Sequence, residues 1–289
     1  MHPPMTEIHV YTPTPPQALS FANPFRMVAG LWRHRDLIRQ FTVRDILARY
    51  RGSHIGILWN LLYPLMMLAV YMFVFGSVLQ IKWSAGEVGT RWEGILNLLC
   101  GLTLFNLFGD CLSRAPSLVV GNPSYVKKVV FPLEILPVCV LGAALLQALI
   151  MLALVAVLTV WKIGTVNWMG ALFPLVLLPL VFLSLGVGWL FSALGAFLRD
   201  IGFAVHILTQ VLLFGSAVFY PVERVPAKYQ WVMLANPLTG VLENGRRMLL
   251  RGQEPEWGWL LAVTAFAFVF MLFGYVCFMK SKRAFGDVL

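Results

Sequence analysis

Charged residues are scarce in this chain of 289 residues. Asp, Glu, Lys and Arg together make up 12% of it, whereas 59% of the residues are hydrophobic. A soluble domain of this length cannot carry so much apolar side chain, because what the core cannot hold would face water. The composition therefore excludes a soluble protein and predicts a polytopic membrane protein.

The sequence also lacks the motifs of nucleotide binding and catalysis. It contains no GxxxxGK[ST] loop, no Rossmann glycine pattern, no HExxH and no GxSxG. The four cysteines form no CxxC pair and the five histidines are scattered, so no metal or redox site is expected. We therefore predict that this chain is not an enzyme, has no catalytic residues and binds no cofactor itself.

Carboxylates are scarce within the apolar segments. A proton- or sodium-driven carrier needs titratable groups near the bilayer midplane, and no regular array of them is present. The energy for any transport is therefore expected from elsewhere. The formal net charge of +9 comes mainly from loops and the tail, without a basic stripe interleaved with aromatics, so no nucleic acid partner is predicted.

The first 56 residues precede the first long apolar run. Prolines interrupt the N-terminus, so no cleavable signal peptide is evident and residues 1–24 are predicted to form a flexible Pro-rich tail. In residues 25–56, arginines alternate with apolar side chains at helical spacing, which predicts a cytosolic or interfacial amphipathic segment. This segment either lies in the headgroup plane or packs on a cytosolic partner.

A transmembrane domain is predicted over residues 57–289. An apolar stretch of ~20 residues is long enough to cross a bilayer. Six such spans are predicted, at 57–80, 94–112, 133–161, 168–197, 201–220 and 257–279. Residues 221–256 hold too many apolar side chains for a free loop, and short interfacial or re-entrant helices are expected there.

The distribution of Lys and Arg predicts the topology. Six spans place both termini on one side, and more Lys and Arg fall on that side than on the other. The positive-inside rule therefore puts both termini in the cytosol. The main alternative is an odd number of spans with a re-entrant fifth segment, which would place the termini on opposite sides.

Two polar pairs at i, i+4 spacing interrupt the apolar segments. Asp110 and Arg114, near the end of the second span, are expected to pair with each other. His206 and Gln210, in the fifth span, form either part of a polar pathway or a helix–helix hydrogen bond.

Aromatic residues make up 13% of the chain, and several occur at i, i+4 spacing in the first span. Flat apolar rings fit the CH-rich faces of sugars, so these side chains either line a sugar-conducting channel or face lipid. The candidate channel-lining residues are Trp59, Tyr63, Tyr71, Phe75, Phe105 and Phe108.

The loop between the second and third spans predicts a short helix of about two turns. Asn122 or Ser124 would cap it, Pro123 would lie in its first turn and Pro132 would end it. The helix would present apolar side chains beside Lys127 and Lys128. It is either a docking element for a soluble partner or an interfacial helix resting on the membrane.

Several motifs together carry a family resemblance. The run RDILARYRGSHIGILW at 44–59 is followed by YPL at 63–65, and the later loop holds NP at 122–123 and VKKVVFPLE at 126–134. These resemble the transmembrane subunit of ABC-2 type permeases that export cell-surface polysaccharides. Further matches, RDI at 199–201 and NPLT at 236–239, extend the resemblance from about residue 39 to the C-terminus.

The resemblance implies partners and an architecture. Such permeases form homodimers, and two separate ATP-binding subunits, which hold ATP and Mg²⁺, dock beneath them. The amphipathic segment would be the interface helix, and residues 221–256 would form gate helices. The coupling helix and a second, smaller contact would supply the coupling residues Asn122, Pro123, Tyr125, Val126, Lys127, Lys128, Arg199 and Asp200.

The resemblance also implies a substrate, a lipid-linked glycan such as an O-antigen on a polyprenyl diphosphate, exported across the cell inner membrane. Arg49 and Arg51 would then bind the diphosphate at a cytosolic entrance, or contact anionic lipid instead. The alternatives are a capsule or teichoic acid exporter and an ABC-2 exporter of small lipophiles. A membrane-embedded enzyme acting on polyprenyl lipids is less well supported, because no catalytic side chains cluster in the sequence.

Overall fold

The secondary structure of the described part of the chain is helical. The structure is a computed structural model, and it describes residues 23–49, 58–78, 91–127, 131–164 and 168–288. Within those ranges there is no strand, which confirms the predicted all-α class. Almost all of the predicted N-terminal tail lies outside the described residues. Its last residue, Pro24, already begins a helix.

The helices are numbered here in chain order. They are α1 Pro24–Arg33, α2 Arg35–Ala48, α3 Trp59–Tyr71, α4 Arg91–Arg114, α5 Ser117–Val120, α6 Pro123–Val126, α7 Ile135–Ile163, α8 Pro174–Phe197, α9 Ile201–Phe214, α10 Ala227–Ala235, α11 Pro237–Arg246, α12 Trp257–Ser281 and α13 Phe285–Val288. Short 3-10 helices occupy Trp168–Leu172, Val222–Arg224 and Lys282–Ala284, and π-helical segments follow α3 at Met72–Val78 and α11 at Arg247–Arg251.

Four helical segments in the described ranges are long and apolar enough to cross a membrane. They are Trp92–Arg114, Ile135–Lys162, Met169–Phe197 and Trp257–Ala284. They correspond to the second, third, fourth and sixth predicted spans. Pro174 begins α8, at a position where a backbone N–H would have no acceptor within the helix, so proline breaks no helical hydrogen bond there. Pro179 lies inside the helix.

The first and fifth predicted spans form shorter apolar helices. The apolar part of the first is Leu65–Val74, within α3 and its π-helical continuation. Helix α9 has 14 residues, or about 21 Å of rise against a hydrocarbon core of about 30 Å. The predicted boundary of 201–220 is wrong, because α9 ends at Phe214 and the chain turns through Ala217 at a φ of 53°. Within the described residues, the six predicted spans are therefore four long apolar helices, the shorter α9, and α3 with its π-helical continuation to Val78.

Helix α4 lies at the centre of the bundle. Of its most apolar stretch, 89% is buried, more than in any of the other three long helices. It packs against α7, α8, α9 and α11. This explains how a helix with several polar residues can stand within an apolar bundle, since its side chains contact protein rather than lipid.

Helices α8 and α12 form the most extensive helix pair. A Cβ added at Gly274 would overlap the carbonyl oxygen of Gly186, so both glycines allow the backbones to approach closely. Trp189, which is fully buried, packs edge-on against Tyr275 with ring centroids 5.0 Å apart. The pair therefore combines a small-residue contact with an aromatic anchor.

One face of the bundle collects the ends of several helices. Glu134, just before α7, accepts a 2.6 Å ion pair from Lys282 Nζ beyond α12, and its carbonyl oxygen accepts a 3.0 Å hydrogen bond from Trp189 Nε1 of α8. Ser192 Oγ of α8 donates to the carbonyl of Ala115, just after α4, at 3.0 Å. We call this the α2 face, because α2 packs against it.

The close contact between α8 and the end of α4 is testable. A Cβ at Gly195 would lie 2.7 Å from Pro116 Cα and would overlap its carbonyl oxygen, so Gly195→Ala forces backbone apart. We expect it to lower the free energy of unfolding by about 1–3 kcal/mol, as overpacking does. The measurement is the thermal unfolding midpoint of the purified protein in lipid nanodiscs.

The matched control is Gly202→Ala in α9, where an added Cβ meets no atom within 4 Å. That variant is expected to keep or raise the midpoint, because alanine favours helix. Equal midpoints for the two variants would contradict the close packing at Gly195.

Candidate coupling site and membrane cavity

The predicted interface segment consists of two helices. Asn23 caps α1, because its Oδ1 accepts a hydrogen bond from Phe25 N at 3.0 Å, and Pro24 occupies the first turn. The helical backbone is interrupted at His34, and α2 begins at the next residue. Helix α1 leaves Phe25 and Trp32 largely exposed, as expected of an amphipathic helix at an interface.

Helix α2 packs directly on α7. A Cβ at Gly142 would lie 3.0 Å from Thr42 Cγ2, so the glycine makes room for α2. Cys139 Sγ lies 3.7 Å from the carbonyl oxygen of Ile38, as a weak donor. The position of α2 is therefore set by small side chains on α7.

An aromatic cluster joins α2 to the loop between α4 and α7. Tyr125 stacks on Phe131 with centroids 4.6 Å apart, and both rings lie 5.5 Å from Phe41 of α2. Arg44 Nη1 donates a 2.8 Å hydrogen bond to Tyr125 Oη, and its guanidinium carbon lies 4.2 Å from the centroid of the Phe41 ring. We call Phe41, Arg44, Tyr125 and Phe131 the aromatic clasp.

Two ion pairs join α2 to the end of α4. Asp45 accepts from Arg114 Nη2 at 2.6 Å, and Asp110 accepts from Arg49 Nη2 at 3.2 Å. The predicted local pair between Asp110 and Arg114 is wrong. Both side chains reach α2 instead, because Asp45 and Arg49 lie one turn apart and offer the opposite charges.

The coupling loop forms a shorter helix than predicted. Helix α6 is one turn, Pro123–Val126, rather than about two turns. Pro123 begins it as expected. The capping prediction for Asn122 is wrong, because its Nδ2 donates to the carbonyl oxygen of Leu118 at 2.9 Å and its side chain caps no helix N–H. Pro132 lies beyond the described end of the loop helix and does not terminate it.

The predicted coupling residues divide by exposure. Asn122, Tyr125 and Val126 are half-buried and turn toward the bundle. Pro123 and Lys127 are exposed, as are Arg199 and Asp200 in the turn between α8 and α9. Lys128 lies outside the described residues. The exposed subset is the part of this surface that a soluble partner can reach.

The predicted channel-lining residues do not share one surface. Phe105 and Phe108 are buried in the core of this single chain, and their role in lining a channel stays a prediction. Trp59 and Tyr71 are half-buried and face a cavity. Tyr63 and Phe75 lie on α3 and its continuation, and their side chains are outside the described part of the structure.

The cavity has a volume of about 420 Å³ and lies between α3, α4 and α7. Arg49, which was predicted at a substrate entrance, lines it together with its partner Asp110, and Arg51 lies outside the described residues. The cavity is lined by Arg49, Trp59, Met67, Tyr71, Leu99, Leu102, Thr103, Asn106, Leu107, Asp110, Ala144, Gln147, Ala148 and Met151. It therefore combines an apolar wall with several polar groups.

The fifth-span pair predicted from sequence is not buried. His206 and Gln210 both have exposed side chains on α9. Within the described ranges, no three His, Cys, Asp or Glu side chains come together as a metal site. We therefore assign no metal ligands and place the candidate site at the α2 face and the cavity.

A second polar centre lies at the other end of α4, and sequence analysis missed it. Arg246 of α11 is fully buried, and its guanidinium donates to the carbonyl oxygens of Asn97, Ala217 and Val218 at 2.9–3.0 Å. Glu243 lies 3.5 Å from the guanidinium. The sequence signal that could have revealed this centre is Arg246 itself, an arginine three residues after Glu243 in a stretch with many apolar residues.

Glycine and asparagine complete this centre. A Cβ at Gly101 would overlap Arg246 Nη2, so Gly101 provides the space for the guanidinium. Asn236 Oδ1 caps α11 at Leu238 N, and its Nδ2 donates to the carbonyl oxygen of Gly215 and to Ser216 Oγ, each at 2.9 Å. Residues 215–218 are therefore fixed between α4 and α11.

Comparison with known proteins decides the family. The family model described as ABC-2 type transporter matches residues 36–250 of this chain. The chain belongs to the ABC-2 type transporter family. The match begins in α2 and ends in the π-helical segment after α11, so it includes the aromatic clasp, the ion pairs, the cavity and Arg246.

Individual ABC-2 relatives match along nearly their full length. The O-antigen export system permease protein RfbA of Klebsiella pneumoniae is 24% identical over 260 residues, 88% of this chain and 95% of that protein. A protein of the same name from Myxococcus xanthus is 25% identical over 91% of this chain and 98% of that protein. The polysialic acid transport protein KpsM of Escherichia coli is 26% identical over 89% and 97%.

The ion pair between α2 and α4 can be tested by charge exchange. Asp45→Asn leaves Arg114 without its partner carboxylate, and we expect the free energy of unfolding to fall by about 1–2 kcal/mol, between exposed and buried pairs. Asp45→Arg combined with Arg114→Asp is expected to restore most of the loss. The measurement is thermal unfolding in nanodiscs.

The control for this experiment is Asp36→Asn, which changes an exposed carboxylate on the same helix. If Asp36→Asn and Asp45→Asn lower the midpoint equally, or if the exchanged pair gives no recovery, the α2–α4 ion pair does not hold the two helices together.

Arg246 offers a second test. Arg246→Met removes the donors from three backbone carbonyls, and we expect a loss of about 3 kcal/mol or more, because hydrogen bonds to charged groups are the stronger kind. Arg251→Met is the matched control, since Arg251 is exposed and pairs with Glu243 at 2.8 Å. Thermal unfolding again measures both, and similar midpoints would contradict a clamping role for Arg246.

Proposed function

We propose that this chain is the transmembrane subunit of an ATP-driven exporter of lipid-linked polysaccharide. The substrate is an O-antigen-like glycan on a polyprenyl diphosphate, moved from the cytosolic to the outer side of the cell membrane. The observation that carries the proposal is the ABC-2 match over residues 36–250 together with near full-length relatives named as O-antigen export permeases.

The proposed partners are those that the family implies. The chain has no nucleotide-binding loop, and its membership of the ABC-2 family implies separate ATP-binding subunits. In this proposal two such subunits bind ATP and Mg²⁺. A second copy of this chain completes the permease, and a translocation path forms between the copies. The exposed residues Pro123, Lys127, Arg199 and Asp200 form the surface on which the ATP-binding subunits dock.

The α2 face supplies a route from docking to the membrane. A movement of α6 is passed through Tyr125 and the aromatic clasp to α2. Helix α2 passes it to the end of α4 through Asp45 and Arg49. The support for this route is that Arg49 and its partner Asp110 also line the cavity, so a displaced α2 changes the mouth of a membrane-embedded space.

The proposed location is the cell inner membrane, with multiple spans and both termini in the cytosol. The arginines of α2 and the basic segment after α12 support this topology under the positive-inside rule. Lys282, which pairs with Glu134, brings the C-terminal segment to the face against which α2 packs. The α2 face is therefore the cytosolic one in this proposal.

A capsular polysaccharide is the second candidate substrate. The polysialic acid transport protein KpsM of Escherichia coli is as similar to this chain as the O-antigen permeases are, at 26% identity over 261 residues. The two candidates share the permease architecture and differ in the glycan and its lipid carrier. Export of labelled O-antigen in a strain lacking the chain distinguishes them.

The division of labour predicts that the chain alone has no ATPase activity. Purified in nanodiscs without a partner, it is expected to release phosphate at the background rate, and turnover is expected to appear only when the ATP-binding subunit is added. Phosphate release by the isolated chain above that of an empty nanodisc would overturn the proposed role.

Docking is tested by charge reversal at the coupling loop. Lys127→Glu reverses the charge at the proposed docking surface, so an attraction between Lys127 and an acidic group of the partner becomes a repulsion. We expect the recovery of the ATP-binding subunit in co-purification to fall several-fold. Lys228→Glu, an exposed lysine on α10, is the matched control. Unchanged recovery with Lys127→Glu, or an equal loss with Lys228→Glu, would remove the coupling loop from the docking surface.

A further inference from the structure

The buried face of α12 continues into the basic segment that follows it. Met271, Tyr275, Phe278, Lys282 and Phe285 are spaced by four, three, four and three residues, which keeps them close to one face of a helix. The backbone stays helical over this range, as α12, then as a 3-10 helix, then as α13. Residues 282–288, which we call the C-terminal extension, therefore carry on the packing pattern of α12.

Phe285 is the apolar contact of the C-terminal extension. Its side chain is fully buried, and its ring centroid lies 5.5 Å from that of Phe278 on α12 and 5.9 Å from that of Phe197. Phe197 is the last residue of α8, and the next turn carries the exposed residues Arg199 and Asp200. Phe285 therefore packs against the end of α8 at the base of this turn.

Lys282 is the polar contact of the C-terminal extension. Its Nζ lies 2.6 Å from Oε2 of Glu134, the residue that ends the loop between α4 and α7. The backbone there forms a tight turn, in which Ile135 N donates to the carbonyl oxygen of Pro132 at 3.1 Å. Phe131 of the aromatic clasp comes directly before this turn, so three residues separate the Lys282 contact from the clasp.

These contacts exceed what is needed to finish α12. Packing of Phe285 on Phe278 would suffice for that, because both rings lie on the same helical stretch. The contacts with Phe197 and Glu134 are additional, and they reach two different connections of the bundle. Glu134 is also held from α8, since Trp189 Nε1 donates to its carbonyl oxygen at 3.0 Å.

Lys282 and Phe285 cannot move independently. They stand three residues apart on continuous helical backbone, which is about 5–6 Å of rise. A shift of one contact therefore shifts the other. The two connections that they touch are the coupling loop and the α8–α9 turn, which carry the exposed docking residues of the proposed function.

We propose that the C-terminal extension is a positioning element that holds the coupling loop and the α8–α9 turn at a fixed spacing, so that one ATP-binding subunit contacts both. A rigid partner that engages two sites at once binds more tightly than one that engages either alone, provided that their spacing matches. Lys282 and Phe285 are positioning residues in this arrangement. The inference deepens the proposed function and rests on it for the identity of the partner.

Hydrogen exchange on the full chain in lipid nanodiscs tests the linkage without a partner. Lys282→Met is expected to speed exchange about threefold, and Phe285→Ala about tenfold or more, in peptides that cover residues 131–136 and residues 198–204. The decisive result is the remote effect. Lys282→Met must loosen the α8–α9 turn, which Lys282 does not contact, and Phe285→Ala must loosen the coupling loop.

The matched control is Lys280→Met, which removes the same charge from an exposed position at the end of α12. It is expected to leave exchange in both connections unchanged. Lys282→Glu combined with Glu134→Lys is expected to restore most of the protection lost in Lys282→Met. Unchanged exchange in α4 shows that a variant is folded, and Phe285→Leu replaces Phe285→Ala if the latter does not fold.

Binding of the ATP-binding subunit tests the consequence for docking. Titration onto nanodiscs is expected to give a Kd about threefold to tenfold higher for Lys282→Met and Phe285→Leu than for the unaltered chain. Lys280→Met is expected to bind as the unaltered chain does. A merely structural role would lower the thermal unfolding midpoint and leave the Kd unchanged.

Two results would overturn the proposal. Exchange that rises only at the connection each side chain touches would mean two independent packing contacts, and an unchanged Kd would remove the role in docking. The exchange experiment needs neither ATP nor the partner, so its failure leaves the export proposal intact. Failure of the ATP-binding subunit to bind the unaltered chain would instead overturn the export proposal and the docking role, whereas the linkage would still be decided by exchange.

Discussion

The pair of ionic contacts between α2 and α4 is the interaction on which the candidate site depends. Arg114–Asp45 and Arg49–Asp110 are partly exposed, and their geometry fixes α2 across the end of the most buried helix. Their net contribution to stability is modest, because solvent screens them. Their main effect is to set the position of α2. That helix carries part of the aromatic clasp and also a side chain at the mouth of the cavity, so it contacts both the coupling loop and the cavity.

The opposite end of α4 is held by a different kind of contact. Arg246 donates to three backbone carbonyls in the protein interior, and Gly101 leaves space for it. A buried guanidinium in this setting is costly to release, because its removal leaves several acceptors unpaired. Solvent-screened ion pairs hold the α2 end of α4, whereas a buried guanidinium holds the other end. The α2 end is therefore the easier one to displace.

Sequence reasoning succeeded where local periodicity decides the outcome. Long apolar runs gave the four long helices, and Pro123 began α6 as expected. It failed where a side chain binds a residue that is distant in the sequence, or binds a backbone group. Asp110 and Arg114 can pair along one helix, and only the position of α2 shows that they do not. The acceptors of Arg246 are carbonyls, which no residue letter reveals, and α9 ends early because residues 215–218 bind that guanidinium and Asn236.

Helix α3 is the element best suited to move relative to this frame. Its described surface is mostly exposed, and it continues into a π-helical segment at Met72–Val78, a backbone form that is rare and concentrated at functional sites. It provides Trp59 and Tyr71 to the cavity, whereas the opposite wall of the cavity belongs to α4 and α7, which pack against each other. Because Arg246 holds the far end of α4 in the core, a displacement of α2 changes the cavity with least cost by shifting α3.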